Sequence, residues 1–145
     1  MADFKTLTKN EIDKFLKNNK HGILSMAGDK PYALPMGYLY RRKTILLGLA
    51  IDGSMVTTGR KMKCLKKSKH ICFTICTPRW HVEKLKDPCT TLVIEGTLEE
   101  IKNRSYYSIK NIPEGINLKL FKIKVAKMGA RKCNRKPCEL LAKKK

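Results

Sequence analysis

Apolar residues near the start of the chain recur at helical spacing and would share one side of a helix: Ile12, Phe15 and Leu16. Thr8 and Glu11 have the spacing of a capping box, in which two residues bond reciprocally to each other's backbone. The polar segment 18–20 ends the pattern. The sequence therefore predicts a helix that begins after Thr8 and ends near this segment.

The rest of the chain contains short apolar or alternating stretches that are typical of β-strands. Six such stretches occur, over residues 21–27, 30–40, 44–49, 69–77, 89–101 and 118–128. Pro31 and Pro35 limit ladder hydrogen bonds in the second, which predicts an edge strand or a bulge, and Gly96 predicts a bulge in the fifth. With a short helix predicted over 103–109, the pattern indicates a mainly β protein, a small barrel with helices packed outside.

A length of 145 residues favours one domain, and 42% hydrophobic residues suffice for an ordinary core. The predicted elements end at residue 128, so we expect a folded domain over 1–128 and a loose basic tail over 129–145. No apolar run approaches the roughly 20 residues that span a bilayer. The polar first residues do not resemble a signal peptide. We therefore expect no membrane contact and a cytoplasmic location.

Basic residues dominate the charge, with 32 Lys and Arg against 12 Asp and Glu and a net charge of +20. Such a charge attracts nucleic acids, nucleotide phosphates and other anions. The lysines are spread along the whole chain, and only 7% of the residues are aromatic, so no platform for stacking bases is evident. A non-enzymatic nucleic-acid-binding barrel is therefore an alternative and not the leading interpretation.

Six cysteines occur, at positions 64, 72, 76, 89, 133 and 138. In a cytoplasmic chain we expect reduced thiols rather than a disulfide framework. Cys133 and Cys138 could form half of a metal site, but no second pair or histidine cluster completes a tetrahedron. His21, His70 and His81 share no metal-ligand spacing. The sequence predicts no metal site.

The segment Thr57-Thr58-Gly59-Arg60-Lys61 carries the clearest candidate chemistry. It follows a predicted buried strand, and Thr58 can cap a helix that starts at Gly59. A helix N-terminus presents unpaired N–H groups and the positive end of a dipole. Two hydroxyls, a guanidinium and an ammonium complete a site suited to a phosphate dianion. The competing interpretation is a solvated basic helix, because lysines continue along the following segment.

The order of the elements resembles a known family. A helix is followed by a hairpin with a proline-interrupted second strand (HGILSMAGDKPYALPMGYLY), a third strand, and then GRKMKCLKKSKHICFTI. Over residues 8–128 this order resembles the pyridoxamine-phosphate-oxidase-like, FMN-binding split-barrel family, particularly its branch of nitroimidazole-resistance proteins. The matching places are 31–38, the pair Arg60-Lys61, and 70–73. The resemblance implies a six-stranded antiparallel split β-barrel with peripheral helices.

The resemblance also implies a homodimer with two FMN sites at the subunit interface. The implied cofactor-binding residues are Ala33, Leu34, Pro35 and Met36 beside the isoalloxazine ring, and Thr57, Thr58, Arg60 and Lys61 at the phosphate. Trp80 could cover the partner's flavin, or could simply cap the surface. His81 is a candidate acid or base at the flavin edge, and no catalytic residue is assigned.

The family pattern is incomplete in this chain. The histidine that the nitroimidazole-resistance branch often carries near the end of the third strand is missing at Gly48, Leu49 and the residues that follow, which leaves the reaction open. The C-terminal Arg-x-His motif of true pyridoxamine-phosphate oxidases is also missing, which disfavours vitamin B6 oxidation. We therefore expect an FMN-dependent oxidoreductase of the flavin reductase or nitroreductase kind acting on a small molecule. The same fold binding haem or a deazaflavin is an alternative.

Overall fold

Eight strands and two helices make up the part of the chain that the computed structural model describes, which is residues 4–50, 58–77, 89–110 and 118–133. In chain order they are β1 (Phe4–Thr6), α1 (Lys9–Asn18), β2 (His21–Met26), β3 (Tyr32–Gly37), β4 (Leu39–Arg41), β5 (Thr44–Ala50), α2 (Thr58–Lys67), β6 (His70–Thr77), β7 (Cys89–Glu100) and β8 (Leu118–Cys133).

All eight strands belong to one antiparallel sheet in the order β3-β2-β6-β7-β8-β5-β4, with β1 also paired to β8. The sheet curls into a half-barrel, so that β3 approaches β5, and α2 packs against β2 and β5. The predicted fold class, a mainly β split barrel with peripheral helices, is confirmed.

The strand count in the described residues is eight rather than the predicted six for two reasons. The stretch 30–40 divides into β3 and β4, because residues 32–37 pair with β2 whereas residues 39–41 pair with β5. The short β1 was not predicted, since only its pairing with β8 makes it a strand.

The last strand continues beyond its predicted end at residue 128, to Cys133. Both neighbours hold this extension, because Arg131 pairs with Thr6 of β1 on one side and with Thr91 of β7 on the other. Residues 129–133 therefore belong to the sheet and not to a loose tail. The rest of the predicted tail lies outside the described residues.

Helix α1 begins and ends where the sequence predicts. The Thr8 hydroxyl accepts from the Glu11 amide at 3.3 Å, and the Glu11 carboxylate accepts from the Thr8 amide at 3.2 Å, so the predicted capping box is present. Glu11 also pairs with Lys132 Nζ of β8 at 2.8 Å, and the apolar side of the helix buries Leu16. No helix in the described part of the chain is long and apolar enough to cross a membrane.

Strand β3 lies at one end of the sheet order, as its prolines predict. The register of β7 and β8 shifts between Glu95 and Gly96, but the extra residue is Ala126, so the bulge lies in β8 opposite the predicted position and not in β7 itself. Glycine is required at position 96 because a Cβ there would overlap the carbonyl oxygen of Lys124. The edge position of β3 is encoded locally, whereas the need for glycine at position 96 depends on its packing against β8.

The main core fills the concave side of the sheet. It is formed by alternate residues of the strands, including Leu24, Phe73, Ile75, Leu92 and Ile94. A smaller cluster lies on the other side of β5, where Leu46 and Leu120 pack against Ile101 and Tyr107. The helix predicted over 103–109 is a single 3-10 turn, Ser105–Tyr107, which presents Tyr107 to this cluster.

Candidate functional site

Helix α2 begins at Thr58 rather than at Gly59, so Thr58 is the first residue of the helix and not its predicted cap. The buried Cys64 and the half-buried Leu65 anchor it on the main core, beside β2 and β5. This anchoring fixes the first turn of the helix, with Arg60 and Lys61, against the rim of the half-barrel. The side chain of Thr58 is not described, and Thr57 lies outside the described residues, as do Trp80 and His81.

Lys61 is buried, with 5% of its surface exposed. Desolvation lowers the pKa of its ammonium. No ion pair or hydrogen bond to Lys61 occurs within the described part of the chain. Because a buried charge without a counter-ion costs free energy, this ammonium is suited to an anion from outside the chain.

Arg60 lies beside Lys61 and reaches across to β3. Its guanidinium stacks on the ring of Tyr32, with 4.4 Å between the guanidinium carbon and the ring centroid. A cation over an aromatic face is an attractive arrangement of about 0.5–1 kcal/mol at exposed sites. The Tyr32 hydroxyl is buried and has no hydrogen-bond partner among the described residues. The helix and the edge strand are therefore joined at the point where the sequence predicts a phosphate.

The four β3 residues predicted to lie beside a cofactor ring point to two different faces. Ala33 and Pro35 are exposed, whereas Leu34 and Met36 are half-buried and pack against the main core together with Tyr32. The alternation follows from the two-residue period of a strand. A single ligand can thus contact all four residues only through the backbone of β3. The side chains of Ala33 and Pro35 lie on the outer side.

Pro35 belongs to a row of uncharged residues that crosses four strands on the outer side of the sheet. Pro35 pairs with Ile23, Ile23 with Thr74, and Thr74 with Val93. We call these four residues the outer row. Ile23 and Val93 are large apolar side chains that are exposed, Ile23 by 40%. A row of this kind is unusual on a surface with such an excess of lysine.

A basic groove continues from Arg60 along α2 to the β2–β3 turn. It has a volume of about 600 Å³, and its cations include Lys30, Lys63 and Lys66. Its acid, Asp29, forms an ion pair with Lys67. The field near the start of α2 is therefore strongly positive.

Two features of this site were not predicted from the sequence. Tyr32 was not singled out, although its place in the period-2 pattern of β3 puts it on the inner side with Leu34. The burial of Lys61 was not predicted, because its residue type is the same as that of the lysines around it, which are exposed. Within the described residues no group of three His, Cys, Asp or Glu side chains could hold a metal ion.

No protein-family model matches the sequence, and no curated protein matches it at a significant level. Solved structures do match it. The FAD-binding protein from Mycobacterium smegmatis has a TM-score of 0.65 at 12% identity, over 89% of this chain and 98% of that chain. A proposed pyridoxamine 5'-phosphate oxidase from Corynebacterium glutamicum has a TM-score of 0.64 at 12% identity, over 90% and 94%. The chain has the split-barrel fold of these proteins.

A proposed 5-nitroimidazole antibiotic resistance protein from Bacteroides thetaiotaomicron matches with a TM-score of 0.60 at 17% identity, over 88% of this chain and 87% of that chain. The split-barrel resemblance expected from the sequence is thus confirmed in the fold. At these identities the likeness concerns the fold, and function has to be argued from the residues of this chain.

Proposed function

We propose that this split barrel binds FMN and holds its phosphate at the first turn of α2. The observation that supports this most directly is Lys61, a buried ammonium without a partner among the described residues. A phosphate dianion would supply the missing counter-charge and accept hydrogen bonds from the helix N-terminus. Arg60, already fixed on Tyr32, would give a second cation.

Flavin is favoured over other phosphate ligands by the fold. One protein that shares it is an FAD-binding protein. The resemblance in the sequence implies that the ring lies beside β3, which ends the strand order of the described sheet and carries Tyr32 of the Arg60–Tyr32 contact. The uncharged residues of β3 suit an aromatic ring, whereas the basic start of α2 suits the phosphate.

A bound flavin would supply hydride and electron transfer to the reaction. The chain would supply position and charge. Lys61 and Arg60 would fix the phosphate, and the surrounding lysines would favour the anionic reduced form of the cofactor. We infer a cytoplasmic oxidoreductase of the flavin reductase or nitroreductase kind that acts on a small molecule.

We further propose that the chain forms a homodimer through the outer row, with the flavin sites at the interface. The supporting observation is that the exposed apolar residues Ile23 and Val93 lie in register with Pro35 of β3, the strand proposed to lie beside the cofactor ring. Pairing two copies would bury these side chains and place the partner next to β3. A second subunit would then complete the walls of each site.

Titration with FMN and with riboflavin tests the phosphate assignment, because riboflavin lacks the phosphate. We expect wild type to bind FMN, and Lys61→Met to weaken FMN binding by about tenfold to a hundredfold while leaving riboflavin binding unchanged. Lys14→Met, on the exposed side of α1, is the matched control and should bind like wild type. Flavin fluorescence quenching measures all three proteins.

The assignment would be contradicted if wild type does not bind FMN, or if Lys61→Met weakens the binding of FMN and of riboflavin equally. The absorption spectrum of the protein as purified distinguishes the alternatives, since haem and flavin have different bands. If a deazaflavin binds more tightly than FMN at moderate salt, the deazaflavin and not FMN is the cofactor.

A further inference from the structure

A second concavity lies away from the start of α2. It is a groove of about 470 Å³ between α1, the β4–β5 hairpin and β8, and we call it the α1 groove. This volume is within the range of small-molecule sites, about 300–1,000 Å³. The α1 groove has no lining residue in common with the basic groove along α2 and includes neither Lys61 nor Tyr32.

The floor of the α1 groove is apolar. Ile12 contributes from the helix, and Ile45 and Ile123 from the core side of the sheet. Further along β8, Val125 is 44% exposed and Met128 is 37% exposed. These two side chains extend the floor into an apolar surface that is open to solvent, although β8 is otherwise rich in lysine.

The acid in the wall of the α1 groove, Asp13, is already paired with neighbouring side chains. The Tyr40 hydroxyl donates to Asp13 Oδ1 at 2.8 Å, and Lys17 Nζ lies 3.0 Å from Asp13 Oδ2. These partners, with a smaller contribution from Lys43, lower the pKa of the Asp13 carboxyl. The carboxylate therefore stays ionised and engaged, and contributes little negative charge to the open space.

Two further cations line the α1 groove without such partners. Lys9 and Lys43 make no ion pair or hydrogen bond within the described part of the chain. One stands at the start of α1 and the other in the β4–β5 turn, so they approach the groove from different elements. The α1 groove thus combines an apolar floor with a positive rim.

The turn that carries Lys43 is held in an uncommon conformation. Arg42 and Lys43 have φ values of 49° and 56°, in the left-handed region that glycine and asparagine normally occupy in two-residue hairpins. The Arg42 guanidinium lies 4.4 Å from the ring centroid of Tyr106, and the Thr44 hydroxyl donates to the Arg42 carbonyl at 3.1 Å. Strained backbone of this kind is often kept where a side chain must be positioned.

We propose that the α1 groove binds a small amphipathic carboxylate, with its apolar chain along Ile123, Val125 and Met128 and its carboxylate between Lys9 and Lys43. Charge complementarity selects this class, because the cations available at the rim face an apolar floor. A neutral alcohol of the same length would leave the cations unpaired, and a cationic amphiphile would be repelled by them. The site is independent of the proposed flavin site.

Calorimetric titration with decanoate, below its micelle concentration and at moderate salt, tests the proposal. Decanol and decyltrimethylammonium serve as the uncharged and cationic probes. We expect decanoate to bind at least about tenfold more tightly than decanol, and the double variant Lys9→Gln/Lys43→Gln to abolish this preference. Val125→Asn should weaken the binding of both decanoate and decanol.

Two matched controls separate the groove from the general positive charge. Lys14→Gln removes an exposed lysine of the same helix, and Leu39→Asn removes an exposed apolar residue of the same hairpin, and neither lines the groove. Both should bind decanoate like wild type, and circular dichroism checks that every variant is folded. Equal affinity for decanoate and decanol in wild type, or equal weakening by Lys14→Gln, would overturn the proposal.

Discussion

Lys61 has two interpretations, as a solvated lysine or as part of a binding site, and its burial separates them. In the sequence it is one of many lysines around α2, and a solvated helix explains it as well as a binding site does. In the structure its neighbours Arg60 and Lys63 are exposed, whereas Lys61 is buried and its pKa is lowered by desolvation. Burial of a lysine without a counter-ion is unfavourable unless a ligand supplies the charge. Its burial, rather than its residue type, is the observation that supports the proposed phosphate site.

Gly96 provides a test of residue-scale packing. Gly96→Ala should lower the free energy of unfolding by about 1–3 kcal/mol, because the new Cβ would overlap the Lys124 carbonyl and force the bulge to move. Gly129→Ala is the control in the same pair of strands, since no atom lies within 4 Å of its added Cβ. Urea unfolding measures both variants. Equal effects of the two substitutions would contradict the assigned role of the bulge.

Helix α1 is attached to the sheet by polar groups as well as by Leu16. The Tyr38 hydroxyl donates to the Leu16 carbonyl at 2.7 Å, and the Tyr40 hydroxyl donates to Asp13 at 2.8 Å. Both donors must stay protonated to make these bonds. Burial raises the pKa of each tyrosine from 10.0 to about 12, and the Asp13 carboxylate adds to this at Tyr40. The attachment of the helix should therefore depend on pH.

The sign of this dependence follows from the raised pKa values. The contribution of Tyr38 and Tyr40 to stability is complete below pH 10.0, their unfolded value, and is lost as the pH rises through about 12. Tyr38→Phe should be less stable than wild type at neutral pH by about 1 kcal/mol, since a hydrogen bond is lost. It should also lose less stability than wild type over the alkaline range, because phenylalanine does not ionise.

Urea unfolding at a series of pH values, with tyrosinate absorbance recorded in parallel, measures both effects. Tyr106→Phe is the control, because that ring is exposed. It should follow the wild-type profile. If Tyr38→Phe loses as much stability as wild type on going to alkaline pH, the tyrosine attachment of α1 is not what makes the fold sensitive to base.

At the scale of the whole molecule, charge and apolar surface oppose each other. A net charge of +20 repels a second copy, whereas the outer row offers uncharged surface for pairing. Salt screens the repulsion over about 10 Å at 0.1 M but leaves apolar burial intact. The proposed dimer should therefore become tighter as salt is added.

Ile23→Lys tests the dimer, because it places a further cation in the middle of the outer row. We expect wild type to sediment as a dimer and Ile23→Lys to sediment as a monomer under the same conditions. Leu39→Lys, which alters an equally exposed apolar residue outside the row, should remain dimeric. A wild type that is monomeric at every salt and protein concentration, or a dimeric Ile23→Lys, would exclude the outer row as the interface.

The sequence by itself determined the features that depend on neighbouring residues. The capping box of α1, the edge position of β3 and the approximate start of α2 follow from local hydrogen bonding, ring constraints and periodicity. These features indicated a small β-barrel with outer helices, and the resemblance of their order to a known family indicated the split barrel. The proposed phosphate segment was also suggested locally, by the residue types that surround a helix N-terminus.

Only the tertiary structure decided what depends on residues far apart in the chain. Strand β1 and the end of β8 stabilise each other across more than a hundred residues, as Thr6 pairs with Arg131. The burial of Lys61, the stacking of Arg60 on Tyr32, the outer row and the α1 groove likewise combine separate elements. Burial and pairing are properties of packed surfaces, and the residues that share a surface are set by the order of the strands in the sheet.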